Sequence, residues 1–361
     1  MKVLVCTVVH NPTDARIFRR QIEMLIQHNH LVTAIAPWHE DTPGAAEVQR
    51  IKVPRAVGRA RLRSWRAARS RMRDLLSSND LLIVHDPELL LVVPWSEVRR
   101  TKTVVVWDVH EDLAAAVGTK AYIPKPFRGL ISKIVRLLEK RAEKKTILLL
   151  AETAYQKRFQ LQHEVVLNLP YVEELPRVTK KKQAIYVGSI TYERGLREML
   201  ALAKELSVFG ISLRLIGECP NEGAAAEIKN AANVVWQGPM PNAAALQEVS
   251  QSLIGLSLLQ DLPNYQHSMP TKILEYMANG ALVVTTPLPL AVEIATDAGI
   301  VLNSFTAIDY ASVASELNRI TTDAGEFESR TTRAFETVKR DYNWYKSGPE
   351  FVQYLESQVR K

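Results

Sequence analysis

Short apolar runs of strand length alternate with stretches of helical periodicity, and the alternation restarts once, halfway along the chain. Val3–Val9 is a buried-type strand. Ala15–His28 carries Ile17, Ile22, Leu25 and Ile26 at helical spacing, and Leu31–Ala36 reads as strand again. A basic helix over Ser64–Leu76, strands at Leu81–His85 and Thr103–Val109, a helix over Pro126–Glu143, a strand at Ile147–Ala151 and a short helix at Tyr155–Leu161 complete the first half. Asn168-Leu-Pro-Tyr171, Pro176 and the run Lys180-Lys-Lys182 mark a linker. Strands at Ala184–Val187, Ser212–Ile216, Val234–Trp236 and Leu253–Leu258 then alternate with helices at Leu196–Val208 and Asn242–Ser250. Glu326–Arg340 and Lys346–Val359 read as closing helices. Such β-α alternation dictates open parallel sheets covered by helices on both faces. The expected architecture is α/β, with two Rossmann-like doubly wound domains facing across a cleft.

A chain of 361 residues is long for one core, in keeping with two domains. The expected division is 1–170 and 171–345, with the helix at about 346–361 packing back on the first domain. Hydrophobic content of 47% and charged content of 24% are those of a globular protein, and no apolar run reaches the roughly 18–20 residues of a membrane span. The opening run Met1–Val9 is too short for a signal peptide. Cys6 and Cys219 lie too far apart to form a CxxC site, which points to a reducing cytoplasm.

Net charge is +7, and the cations are concentrated in the first half. No acidic residue occurs from Gln49 to Arg73, a stretch rich in arginine. A second basic cluster, Lys125 to Lys145, is interleaved with Phe127, Leu130, Ile131, Ile134 and Leu137. Such stretches suit an anionic lipid surface or remain solvated basic faces. No nucleic-acid-binding module accompanies the charge.

Four loops carry candidate chemistry. Ser268-Met-Pro-Thr-Lys-Ile-Leu-Glu-Tyr-Met-Ala-Asn-Gly280 reads as a helix capped by Ser268, with Pro270 in its first turn and Gly280 closing it in the left-handed conformation. Free N–H groups at such a start attract phosphate, and Glu275, one turn further in, can accept two ribose hydroxyls. The bland reading is a capped helix with a solvated glutamate. Val187-Gly-Ser-Ile-Thr-Tyr-Glu-Arg-Gly195 ends a strand and opens a helix, with Arg194 able to fork onto phosphate oxygens. Trp107-Asp-Val-His-Glu-Asp112 places His110 at a strand end, where it can steer or accept a proton; its alternative is a loop histidine bonded to backbone. Asp108 and Asp112 invite a metal, but no further ligand set is apparent in the sequence. In Leu82-Ile-Val-His-Asp-Pro-Glu88, Asp86 is expected to cap a helix begun by Pro87. His10-Asn-Pro-Thr-Asp14 follows the first strand without GxGxxG, and GxxxxGK[ST], GxSxG and HExxH are absent from the chain. Dehydrogenase, P-loop and serine-hydrolase readings are therefore unsupported.

Taken in order, these segments resemble a GT-B glycosyltransferase of the family 4 type over nearly the whole chain. The resemblance implies a first domain that holds the acceptor and a second that holds a UDP-, GDP- or dTDP-sugar. It implies transfer with retention of anomeric configuration, without a metal and with no cofactor required. Glu275 matches the second glutamate of the family's E-x7-E motif, the one that binds ribose. Arg194 matches the basic residue at the donor diphosphate, and His110 the acceptor-domain histidine near the reacting sugar. Gly238-Pro-Met240 resembles the loop at the base, while Gly188, Ser189, Ser268, Met269, Pro270, Thr271 and Lys272 fall at the phosphates and sugar. His10, Asp14, Arg16, His85, Asp86 and Glu111 fall on the acceptor side. His267 stands where the first motif glutamate is expected, Ser189 where many members have arginine, and His10–Asp14 where many have a Gly-rich loop. The acceptor is expected to be a small, lipid-linked or cell-envelope glycan acceptor. The basic first half points to peripheral attachment at the inner membrane face. A non-hydrolysing nucleotide-sugar epimerase of the same fold and a catalytically silent transferase-like partner subunit are the competing readings.

Overall fold

The structure is a computed structural model that describes residues 1–39, 47–110, 125–296 and 298–360, with the side chains of 125–128 left out. The chain divides into one unit of Met1–Asn168 with Tyr345–Lys361, and a second of Leu169–Trp344.

The first unit is built on β1 (Lys2–Cys6), β2 (Leu31–Ala36), β3 (Gln49–Lys52), β4 (Leu81–Val84), β5 (Val104–Val109), β6 (Ile147–Leu150) and β7 (Glu164–Val165). They pair in parallel in the order β3-β2-β1-β4-β5-β6-β7. The central strands are buried on both faces, which explains why β1, β4 and β6 read as continuous apolar runs. Around them lie α1 (Glu23–Gln27), α2 (Arg61–Leu75), α3 (Trp95–Thr101) and α4 (Lys125–Glu143). The expected helix over Ala15–His28 is a π-helical stretch, Ala15–Ile22, running into α1, started by Asp14 accepting the N–H groups of Arg16 and Ile17. The expected helix near Tyr155 is a 3-10 segment, Thr153–Arg158.

The second unit carries β8 (Lys181–Val187), β9 (Ser212–Ile216), β10 (Val234–Trp236), β11 (Ser252–Ser257), β12 (Leu282–Thr285) and β13 (Ile300–Val301), parallel in the order β10-β9-β8-β11-β12-β13. Its helices are α5 (Leu196–Leu206), α6 (Glu222–Asn230), α7 (Asn242–Ser250), α8 (Thr271–Ala278), α9 (Pro289–Ala295), α10 (Tyr310–Thr322) and α11 (Ala324–Asp341). α12 (Trp344–Val359) closes the chain, and from Tyr345 on it belongs to the first unit. There the buried His30 lies 3.1 Å from the half-buried Glu356.

Lys181 and Lys182 are not linker residues, because the sheet draws them into β8. Lys180 is a partly buried cation: its Nζ donates to the carbonyls of Ser250, Asn279 and Gly280, which end α7 and α8. Burial lowers its pKa to about 8. A lysine run that looks like a solvated hinge in sequence is therefore part of how two helix ends are satisfied.

In both sheets the direction of winding reverses at one pair of neighbouring strands: β1 with β4, and β8 with β11. Loops leaving the carboxyl ends of strands at such a reversal diverge and leave room for a ligand. The candidate residues gather at these two places.

Candidate functional site

In the first unit, β1 ends at Cys6, β4 at Val84 and β5 at Val109. Asp86 ties the first two ends together. Its carboxylate accepts Thr7 Oγ1 at 3.0 Å and the N–H groups of Val8 and Val9, and His10 Nε2 lies 3.4 Å from it. Contrary to the expectation from sequence, the Asp86 side chain makes no capping hydrogen bond to the 3-10 segment Pro87–Leu91, although Asp86 occupies its N-cap position. Pairing of β1 with β4 brings the amides of the first loop closer to it than those of its own turn.

Asp108 is wholly buried inside β5. Arg16 closes on it with Nε to Oδ2 at 2.9 Å and Nη2 to Oδ1 at 2.6 Å, while Nη1 donates to the Val166 carbonyl at 2.6 Å. Gln21 Nε2 donates to Oδ2 at 2.7 Å. His110 Nε2 lies 2.7 Å and His85 Nδ1 3.1 Å from the same oxygen. Burial alone would raise the Asp108 pKa, but Arg16, His110 and His85 outweigh it and hold the carboxyl well below its usual range. An ionised Asp108 requires N–H donors, which assigns the His110 proton to Nε2. Burial drives the His85 pKa down against the pull of Asp108, so His85 is the neutral partner. Among the described residues its Nε2 has no hydrogen-bond partner.

These contacts revise three expectations. Arg16 is 5% exposed and committed to Asp108, so it positions other groups rather than touching an acceptor. His110 is held by a carboxylate side chain, and its carbonyl accepts Tyr155 Oη at 3.1 Å. His85, Asp108 and His110 bring three ligand-type atoms within 4.8 Å of one another, a set not apparent in sequence. The guanidinium of Arg16 already pairs with the one carboxylate of the three. Glu111 and Asp112 lie outside the described residues. A cavity of about 160 Å³ opens beside His10, His85, Asp86 and His110, with Arg61 and Glu88 also on its walls.

In the second unit, β8, β9 and β10 end side by side, and their loops are stitched together. Gly188 N–H donates to the Ile216 carbonyl at 2.8 Å, Gly217 N–H to Gly238 at 2.9 Å, and Trp236 Nε1 to Gly217 at 2.9 Å. This brings Gly238, far from Gly188 in sequence, into one layer with it. Gly188 has φ +145°, and a Cβ there would lie 3.2 Å from Tyr186 Oη, 3.4 Å from Lys272 Cε and 3.6 Å from Arg194 Nη1. The side chains of Lys272 and Arg194 therefore converge on a glycine, where a side chain would stand in their way. Gly195 opens α5 at φ +84°, and a Cβ there would strike the Leu258 carbonyl at 1.9 Å. That close approach sets where the preceding Arg194 projects. Arg194 also interacts with the hydroxyls of Tyr186 and Tyr265.

Glu275, in α8, accepts Lys272 Nζ at 3.0 Å and is 7% exposed, so it is not the solvated glutamate of the bland reading. The start of α8 differs from expectation. Pro270, not Ser268, stands at its N-cap position. The Ser268 N–H donates to the Tyr265 carbonyl at 3.3 Å and the Thr271 N–H to Met269 at 2.8 Å. Pro270 has no N–H and the Ser268 and Thr271 N–H groups are already bonded, so the positive charge at the start of α8 is that of Lys272. Gly280 ends the helix at φ +68°, as expected. His267 and Ser189 are exposed.

Sequence reasoning did not single out Tyr186, Tyr265, Thr7 or Gln21. Asp108 was legible, since period-two alternation sets it and His110 on one face of the strand. Thr7, Gln21 and Tyr265 meet partners in distant segments, and Tyr186 meets Ser189 and Arg194 only once the loop after β8 has folded back.

Residues 181–323 match a family model described as Glycosyl transferases group 1. No curated protein matches the chain. Among solved structures, WaaG, a glycosyltransferase involved in lipopolysaccharide biosynthesis, aligns with TM-score 0.64 at 15% identity, over 96% of this chain and 98% of its own. Sucrose-phosphate synthase from Thermosynechococcus elongatus aligns with TM-score 0.70 at 14% identity, over 99% and 98%. Anabaena HepE in complex with UDP and glucose aligns with TM-score 0.68 at 13% identity, over 99% and 100%. The fold is that of the GT-B glycosyltransferases.

Proposed function

We propose that this chain is a retaining, family 4-like glycosyltransferase of the hexosyltransferase type, with a nucleoside-diphosphate sugar bound by the second unit and an acceptor engaged by the first. The observation that carries the reading is the convergence of Arg194 and Lys272 on Gly188, with Glu275 bonded to Lys272. That group offers two cations to a diphosphate and one carboxylate to vicinal ribose hydroxyls. The Glycosyl transferases group 1 match covers all of these residues, and a structural relative at 13% identity was solved with UDP and glucose.

Sugar transfer requires a leaving group whose developing negative charge is met in place. In this reading Arg194 and Lys272 supply that field, so charge stabilisation at the diphosphate needs no metal. His110, oriented by the ionised Asp108 that Arg16 neutralises, stands on the acceptor side as the group that positions or relays a proton. His10 and Asp86 line the same cavity and are assigned to acceptor hydroxyls. Gly238 and Met240 are assigned to the base, and Ser189, His267, Ser268, Met269, Pro270 and Thr271 to the rim around phosphate and sugar.

Arg61, Arg63, Arg66, Arg69, Arg71 and Arg73 are exposed along α2, whose buried face is Ser64, Ala68 and Met72. This face supports peripheral attachment to an anionic membrane surface from the cytoplasm, with a cell-envelope glycan as product. Among the described residues no helix is long and apolar enough to cross a membrane.

Thermal-shift screening with UDP, GDP, dTDP and ADP, and with their sugars, tests the donor site, because a ligand that binds only the folded state raises the midpoint. One nucleotide diphosphate is expected to do so in wild type and not in Arg194→Ala. If none shifts the midpoint, the donor assignment fails. Conversion of a nucleotide sugar with no acceptor present would replace transfer by epimerisation.

A further inference from the structure

A larger cavity, of about 420 Å³, lies in the first unit beside the His110 pocket, and none of the chemistry assigned above uses it. Its walls are mostly apolar, with Leu90, Leu91, Trp95, Val135, Leu138 and Ala142 forming most of the lining. Pro87, Glu88 and Trp107 are walls of both cavities. The volume lies within the range of small-molecule sites, and such a lining selects hydrocarbon over sugar.

The helix beside it has an unusual surface. Along α4, Leu130, Ile134, Leu137 and Leu138 are 59%, 48%, 50% and 38% exposed. Their spacing puts them on one stripe, which reaches the cavity at Leu138. Lys133, Arg136, Lys140 and Arg141 stand exposed among them. An exposed apolar stripe flanked by cations is costly in water and favourable against an anionic amphiphile.

Among the described residues, the two acids on the cavity wall, Glu88 and Glu139, are already paired. Glu88 accepts Trp65 Nε1 at 2.8 Å and lies 3.5 Å from Arg61, and Glu139 is bonded to Arg158. Arg141 and Lys145, both on the cavity wall, leave its rim positive, with Lys145 Nζ 5.7 Å from the Trp95 ring centroid.

We propose that this cavity holds the apolar chain of an anionic lipid-linked acceptor, whose head lies toward the pocket lined by His10, Asp86 and His110. This names the acceptor class of the reading above and rests on it. The stripe on α4 is the route by which the chain leaves a lipid surface for the cavity.

Dodecyl phosphate is the probe, with inorganic phosphate and dodecyl maltoside as controls for charge alone and chain alone. Dodecyl phosphate is expected to bind at least tenfold more tightly than either control. Leu138→Asp, at a half-exposed wall position, is expected to weaken it at least tenfold at an unchanged thermal midpoint. A dodecyl phosphate brominated at the chain end is expected to quench tryptophan fluorescence, and Trp95→Phe to remove part of that quenching. Equal affinity in wild type and Leu138→Asp, or quenching unaltered by Trp95→Phe, overturns the cavity assignment. Nucleotide binding, followed separately by the UDP, GDP, dTDP and ADP midpoint shifts, distinguishes this failure from that of the donor site. Vesicles of phosphatidylglycerol set against phosphatidylcholine separate chain capture from adsorption. Binding to phosphatidylglycerol vesicles that is as strong in Leu138→Asp as in wild type also overturns the assignment.

Discussion

Arg16 and Asp108, 92 positions apart in sequence, form a buried two-bond ion pair between the stretch Ala15–Ile22 and β5, Nε to Oδ2 at 2.9 Å and Nη2 to Oδ1 at 2.6 Å. The pair sets the state of the histidines beside it. With Arg16 in place Asp108 stays ionised, and an ionised Asp108 fixes the His110 tautomer.

Removing one partner strands a buried charge. Arg16→Ala is predicted to lower unfolding free energy by about 3–5 kcal/mol. Adding Asp108→Asn is expected to recover a large part of that loss. Chemical denaturation of the two variants decides it, and additive losses would show that the pair does not act as a unit.

Acid should destabilise the fold in two stages. His85 is held neutral, with its pKa below the usual 6.5, so the unfolded chain takes up a proton there as pH falls through 6.5 while the folded chain does not. Asp108 is held well below 3.8, so the unfolded chain again gains the proton first. Both contributions remove stability as pH falls, the first below about 6.5 and the second below about 3.8. His85→Gln should flatten the first stage of a midpoint-against-pH curve. Parallel curves for variant and wild type would assign that stage to other groups.

Arg194→Ala is predicted to lower turnover by about 10²–10³, the scale for losing one donor to developing charge. The thermal midpoint without ligand should change little, since Arg194 is only half-buried. Wild-type turnover in this variant would remove Arg194 from the mechanism.

Glu275→Ala is predicted to weaken binding of the free nucleotide diphosphate by roughly 1.5–3 kcal/mol for each ribose hydrogen bond lost. Calorimetry reads this directly. Unchanged affinity would leave Glu275 as no more than the partner of Lys272.

Gly188→Ala should cost about tenfold or more in the same affinity, equivalent to about 1.4 kcal/mol. The added Cβ strains a φ of +145° and occupies the space between Tyr186 and the two cations. Full affinity in this variant would mean that the phosphates lie elsewhere.

Much of the architecture was legible because strand and helix periodicity are local. Ser212–Ile216, Val234–Trp236 and Asn242–Ser250 fall where their patterns place them. β3 and β7 were not legible, since Gln49–Lys52 and Glu164–Val165 are too short and polar to stand out and are strands because a sheet edge pairs them. α10 and α6 lacked a distinct signal against their Ala- and Ser-rich surroundings.

The sequence by itself determined two α/β halves, a carboxylate one turn into α8, an arginine ahead of α5, and a histidine at the end of β5. Those depend on periodicity, glycine and proline, which act over a few residues. Only the tertiary structure decided that Asp86 holds the first loop instead of a helix start, that Arg16 serves Asp108, and that Lys272 and Arg194 meet over Gly188. Each joins residues whose nearness comes from parallel strand order, and strand order is set by crossover packing over the whole sheet rather than by any neighbouring side chain.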